Sequence, residues 1–100
     1  MKLFVLGHED TVLGFSLIGV DGLATEDPMA AISKLDEIVA QGEVGLVLIT
    51  AGLASRMRER VEDMERGPGL PLVLQVAAPG EPLEQPPIRD LVRKALGIKL

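Results

Sequence analysis

The sequence predicts an α/β fold: a small parallel sheet of about four strands with flanking helices, followed by a separate amphipathic helix at the C-terminus. Three observations predict it. Short aliphatic runs alternate with longer segments of helical periodicity. The runs are apolar throughout rather than alternating, as strands buried on both faces require. Four of the seven prolines crowd into residues 77–87, dividing the C-terminal stretch from everything before it.

Residues 2–6 form the first strand. Gly7-His8-Glu9-Asp10 breaks it, and Asp10 is placed to cap a helix over about residues 11–18. Leu13, Leu17 and Val20 fall at helical spacing there, with Phe15 and Ile18 beside them. Gly14 inside that helix costs on the order of 1 kcal/mol against alanine, so it is expected to mark close packing by another backbone. Residues 19–22 read as a turn and 23–25 as a short second strand. Asp27-Pro28 supplies a cap residue and then proline at the first helical position. That helix runs to about Gln41 and stops at Gly42, with Ile32, Leu35, Ile38 and Val39 as its buried stripe.

Residues 44–50 are a third strand, too short for a helix and bounded by turn signals. Leu53, Met57, Val61 and Met64 then recur every three or four residues as the core face of a helix ending near Gly67. Its other face carries Arg56, Arg58, Glu59, Arg60, Glu62 and Asp63. Residues 70–76 are the last strand, with Pro71 at its start, where proline is tolerated. The order is that of a Rossmann-like or flavodoxin-like half with right-handed crossovers, a globular domain over 1–77.

Residues 78–87 are an extended, semi-rigid linker able to span roughly 30 Å at ~3.1 Å per residue. It leads to a helix and tail over 88–100. Ile88, Leu91, Val92, Ala95 and Leu96 form one apolar face there, with Arg89, Asp90, Arg93 and Lys94 opposite. Gly97 ends the helix. A helix this short does not stand alone in water and must dock on its own domain or on a partner. The burial gain and the ordering entropy nearly cancel, so docking is expected to be switchable.

Composition excludes several functions. The chain has no cysteine, hence no disulfide framework and no thiolate metal site. Its single histidine, His8, removes His-rich zinc sites and argues against a Ser-His-Asp triad. With no Trp or Tyr and two Phe it lacks an aromatic platform for single-stranded nucleic acid, and a net charge of −5 opposes nucleic acid generally. The charge is uneven: residues 1–50 carry two basic and eight acidic side chains, whereas 88–100 carry four basic and one acidic. That basic tail suits an acidic surface. No run approaches the roughly 18–20 apolar residues of a membrane span, and the N-terminus lacks signal-peptide features, so a cytosolic protein is expected. A mean hydropathy of +0.30 is high for a small domain, and part of the apolar surplus is expected to face another protein.

Catalytic constellations are scarce. Glu9 and Asp10 follow the first strand, at the sheet edge where open parallel sheets bind ligands. Paired acids there could hold magnesium as in receiver domains, but the third strand ends Leu48-Ile49-Thr50, without the required aspartate. The plainer reading is that Asp10 caps the helix and Glu9 complements its dipole. His8 has no nucleophile near it and reads as a surface-loop residue. Gly7 to Gly14 fits neither a dinucleotide fingerprint nor a P-loop, and Thr50-Ala51-Gly52 is only a weak anion nest. The expectation is a non-enzyme with no cofactor and no metal. The alternative is a free-standing receiver-like ligand-binding or signalling module using Glu9, Asp10 and Thr50.

The segment Gly7-His8-Glu9-Asp10-Thr11-Val12-Leu13-Gly14-Phe15-Ser16-Leu17-Ile18-Gly19-Val20 resembles the F subunit of the V-type and archaeal A-type rotary ATPases. The aliphatic strand through Gly45-Leu46-Val47-Leu48-Ile49-Thr50 is also similar to that family. So are the proline-opened strand Leu70-Pro71-Leu72-Val73-Leu74 and the final Leu91-Val92-Arg93-Lys94-Ala95-Leu96-Gly97. The linker departs from the family in its wealth of proline. The resemblance implies a non-catalytic central-stalk component of a proton- or sodium-translocating ATPase or ATP synthase, cytoplasmic and peripheral to the membrane. It implies binding to the coiled-coil D subunit of the stalk, with a C-terminal helix able to lie along that coil or swing away. Leu91, Val92, Leu96 and Ile98 are then the expected helix contacts, with Arg89, Arg93 and Lys94 as electrostatic complements. Phe15 and Ile18, beside Gly14 and Gly19, are the expected contacts on the domain.

Overall fold

A computed structural model describes residues 2–80. Most of the linker expected over 78–87, and all of the helix and tail expected over 88–100, lie outside the described residues. The chain runs β1 (Lys2–Gly7), α1 (Glu9–Ser16), β2 (Asp21–Ala24), α2 (Pro28–Gln41), β3 (Val44–Thr50), α3 (Ala51–Arg56), α4 (Arg58–Arg66) and β4 (Leu72–Val76). The four strands make one sheet in the order β2-β1-β3-β4, and every pairing is parallel. The expected α/β architecture is therefore present.

Strand alternation sorts the side chains onto two faces. Phe4 and Leu6 of β1, Val47 and Ile49 of β3 and Val73 of β4 meet α2, α3 and α4 in the main core. Leu6, Leu35, Ile49 and Val47 are fully buried there, each contributing about 1.5–3 kcal/mol gross. Lys34 of α2 lies along this face with Nζ 5.3 Å from the Phe4 ring centroid. The opposite face carries Leu3, Val5, Leu46, Leu48, Leu72 and Leu74. Among the described residues, α1 is the only helix on that face. It sits over β1 and β2, seated on Gly22: a Cβ there would come within 2.6 Å of Val5 Cγ1 and 3.0 Å of Val12 Cγ1.

α2 has the bounds its sequence predicts. The Asp27 carboxylate accepts the Met29 N–H at 3.0 Å, and Gly42 closes the helix at φ +69°. Its buried stripe is Ala31, Leu35 and Ile38, while Val39 is 47% exposed. β3 also matches. Four local expectations are corrected. Asp10 does not cap α1; it lies within the first turn, and its N–H is accepted by Nδ1 of His8, the true N-cap. The helix expected from Leu53 to Gly67 is two helices, because Met57 leaves helical geometry at φ −132°, ψ 40°. The break re-aims the chain so that Leu53, Ala54, Met57 and Val61 all reach the core. β4 starts at Leu72, after the cis Leu70–Pro71 bond, and β2 starts earlier than expected, at Asp21.

Candidate functional site

Two places on the described surface could carry function: the C-terminal edge of the sheet and the outer face of α1. The edge is built by the first βα turn against the end of β3. In this fold, ligands enter between neighbouring strands whose connections leave in opposite directions, here β1 and β3. Thr50 occupies that crevice. Its side chain is buried, and its Oγ1 accepts the His8 N–H at 3.1 Å. A Cβ on Gly7 would overlap the Thr50 hydroxyl, so β1 and β3 close on each other here. Glu9 and Asp10 are exposed on the first turn of α1, and no three metal-ligating side chains converge among the described residues. A shallow recess of about 250 Å³ lies instead on the β2 side, lined by Gly7, His8, Glu9, Ala24, Thr25 and Glu26. Two carboxylates line it, and Nδ1 of His8 is already engaged by the Asp10 N–H.

α1 is different in kind. It has no buried residue. Thr11, Val12 and Phe15 are half-buried on its sheet side. The opposite side is aliphatic: Leu13 is 59% exposed, Leu17 81% and Ile18, in the turn that follows, 75%. An ordinary surface helix turns its charged side to water; α1 turns leucines to water. Gly14 sits among them with helical backbone, and nothing lies within 4 Å of where its Cβ would be. Within the described chain, then, no neighbour requires a glycine whose helical cost is on the order of 1 kcal/mol.

The expected contacts divide accordingly. Ile18 is on the exposed aliphatic surface, whereas Phe15 is half-buried beneath the helix. Leu13 and Leu17, which lie at core spacing in the sequence, are the exposed ones. A signal for them is present in the sequence, since Val12 with Phe15 and Leu13 with Leu17 make two apolar stripes on different sides of the helix. A helix with two apolar stripes has more than one surface to cover. Leu91, Val92, Leu96, Ile98, Arg89, Arg93 and Lys94 lie outside the described residues. A second apolar feature crosses the sheet, where Leu3, Leu46 and Leu72 pair in register; Leu72 is 52% exposed and the adjoining Leu70 65%.

A surface of this kind points to a protein assembly, and comparison with known families says which. The family model of the ATP synthase (F/14-kDa) subunit matches residues 3–94. The chain belongs to that family. It is similar to the F subunit of the A-type ATP synthase of Thermococcus kodakarensis, with 39% identity covering 100% of this chain and 98% of the relative. It is also similar to the F subunits of the A-type ATP synthases of Pyrococcus furiosus, at 35% identity over 100% of this chain and 98% of the relative, and Methanothermobacter thermautotrophicus, at 28% over 99% and 95%. Members of the family are accessory, non-catalytic subunits of a rotary ATP synthase, so other components of that complex are this chain's partners. Among the described residues no helix is long and apolar enough to cross a membrane.

Proposed function

We propose that this chain is a rotor component of the central stalk in a V/A-type proton- or sodium-translocating ATPase, peripheral to the membrane on the cytoplasmic side. It binds the coiled-coil D subunit of the stalk through its globular domain. The single observation that carries this reading is the outer face of α1 and of the turn that follows it, where Leu13, Leu17 and Ile18 are exposed and no residue of the helix is fully buried. Family membership supplies the complex, and the exposed aliphatic face supplies a surface for it. The role is mechanical: the domain stiffens the coil, and the C-terminal segment adds a second, switchable contact through Leu91, Val92, Leu96 and Ile98.

The test is co-elution of the full chain with the D subunit of the same organism, by size exclusion with light scattering. A stable one-to-one complex supports the proposal. Separate peaks from two folded proteins overturn it and return attention to the Glu9–Asp10 edge. The double substitution Leu91→Glu with Leu96→Glu tests the second contact: weaker binding is expected, and unchanged affinity removes the switchable helix from the reading.

A further inference from the structure

The N-terminus of α1 is held by a group that can change its charge. His8 is the N-cap, and its Nδ1 accepts the Asp10 N–H at 3.1 Å. The usual capping side chains, Asp, Asn, Ser and Thr, keep an acceptor oxygen at neutral pH and below it. Imidazole keeps an acceptor only while it is neutral, because protonation makes both ring nitrogens donors. This cap therefore requires the neutral ring with its proton on Nε2. The backbone of His8 carries no such condition. Its N–H donates to Thr50 Oγ1 at 3.1 Å, and its carbonyl accepts the Val12 N–H at 3.0 Å, whatever the charge of the ring.

Two observations make the condition matter. α1 is eight residues long and has no buried residue, so packing does little to replace a lost cap. The ring also borders the recess of about 250 Å³, together with Glu9 and Glu26. The charged groups around it are the carboxylates of Glu9 and Asp10 on α1 and of Glu26 in the loop after β2. From α3, Arg56 Nη1 donates to the Glu26 carbonyl at 3.2 Å, and β3 contributes the uncharged Thr50. A protonated ring thus has carboxylate acceptors beside it, while the Asp10 N–H is left to solvent.

From this arrangement we infer that α1 is a pH-gated helix. Neutral His8 caps it; protonated His8 releases the Asp10 N–H, turns to the carboxylates of the recess and lets the first turn fray. A positive ring at a helix N-terminus adds to the release. The proton comes from solvent to Nδ1 and returns there. Because α1 carries Leu13 and Leu17, the order of that exposed face follows the charge of one ring. The inference stands on the fold alone and is independent of what α1 binds.

NMR of the full chain tests it, since His8 is the one histidine and its ring signals are unambiguous. At about pH 8 the ring nitrogen shifts are expected to place the proton on Nε2. Between about pH 8 and about pH 5, where imidazoles titrate, exchange of the Val12 amide is corrected for its intrinsic pH dependence. It is expected to quicken by about five- to tenfold, the loss of one cap, with the midpoint of the ring's own titration. His8→Asn keeps an acceptor at every pH, and its exchange is expected to stay level. A neutral ring protonated on Nδ1 overturns the inference. So does exchange that ignores the ring's titration or follows the carboxylates at lower pH, and so does an equal acid response in His8→Asn.

Discussion

Thr50 is the buried polar side chain among the described residues, and it joins two strands through one atom. Its Oγ1 accepts the His8 N–H and fills the space beside Gly7, whose φ of +135° suits glycine alone. Gly7→Ala therefore meets both backbone strain and overlap, and is expected to cost about 2–4 kcal/mol in urea unfolding. Thr50→Val keeps the shape but strands a half-buried N–H, and about 1–2 kcal/mol is expected. His8 shows where residue-level reading stops. Asp27 belongs to the set of side chains that habitually cap helices, and its role is legible in the sequence. Histidine does not, so the pattern points to Asp10, two residues on, although Nδ1 of His8 is the acceptor the structure uses.

At the scale of elements, α2 and α1 make a useful contrast. Every local signal in α2 agrees: cap, proline, apolar stripe and terminal glycine, so its bounds can be read directly. Removing its cap with Asp27→Ala is expected to cost about 1 kcal/mol. Truncating its buried centre with Leu35→Ala is expected to cost about 2–5 kcal/mol, and thermal denaturation of the two variants ranks them. α1 can be read as a helix but not oriented, because its two apolar stripes, Val12 with Phe15 and Leu13 with Leu17, compete for the sheet side. The break at Met57 is equally hidden. The spacing of Leu53, Met57, Val61 and Met64 runs through it unbroken, and all four residues stay at or near the core on both sides of the kink.

At the scale of the molecule, the parallel sheet with helices on both faces follows from the alternation of aliphatic and amphipathic segments, whereas the strand order becomes visible only in three dimensions. Ion pairs among the described residues lie toward solvent, including Lys2–Glu43 and Lys34–Glu37 at 3.5 Å, Arg60–Asp36 at 2.8 Å and Arg66–Asp63 at 2.7 Å. Such pairs contribute about 0–1 kcal/mol each, so stability is expected to change little between low and high salt.

The strand order also sets a chronology. β1 is synthesised first yet lies inside the sheet, between β2 and β3. Val5 pairs with Gly22 on one side and with Leu48 on the other. The ribosome, adding roughly 5–20 residues each second, therefore releases Leu3-Phe4-Val5-Leu6 well before the strand that shields its second edge. For that interval the nascent chain carries a sticky aliphatic ribbon with one side unpaired. Gly42, in the left-handed conformation at φ +69°, ends α2 and hands the chain to β3. A substitution there is expected to show itself less in the finished fold than in the yield of chains that reach it.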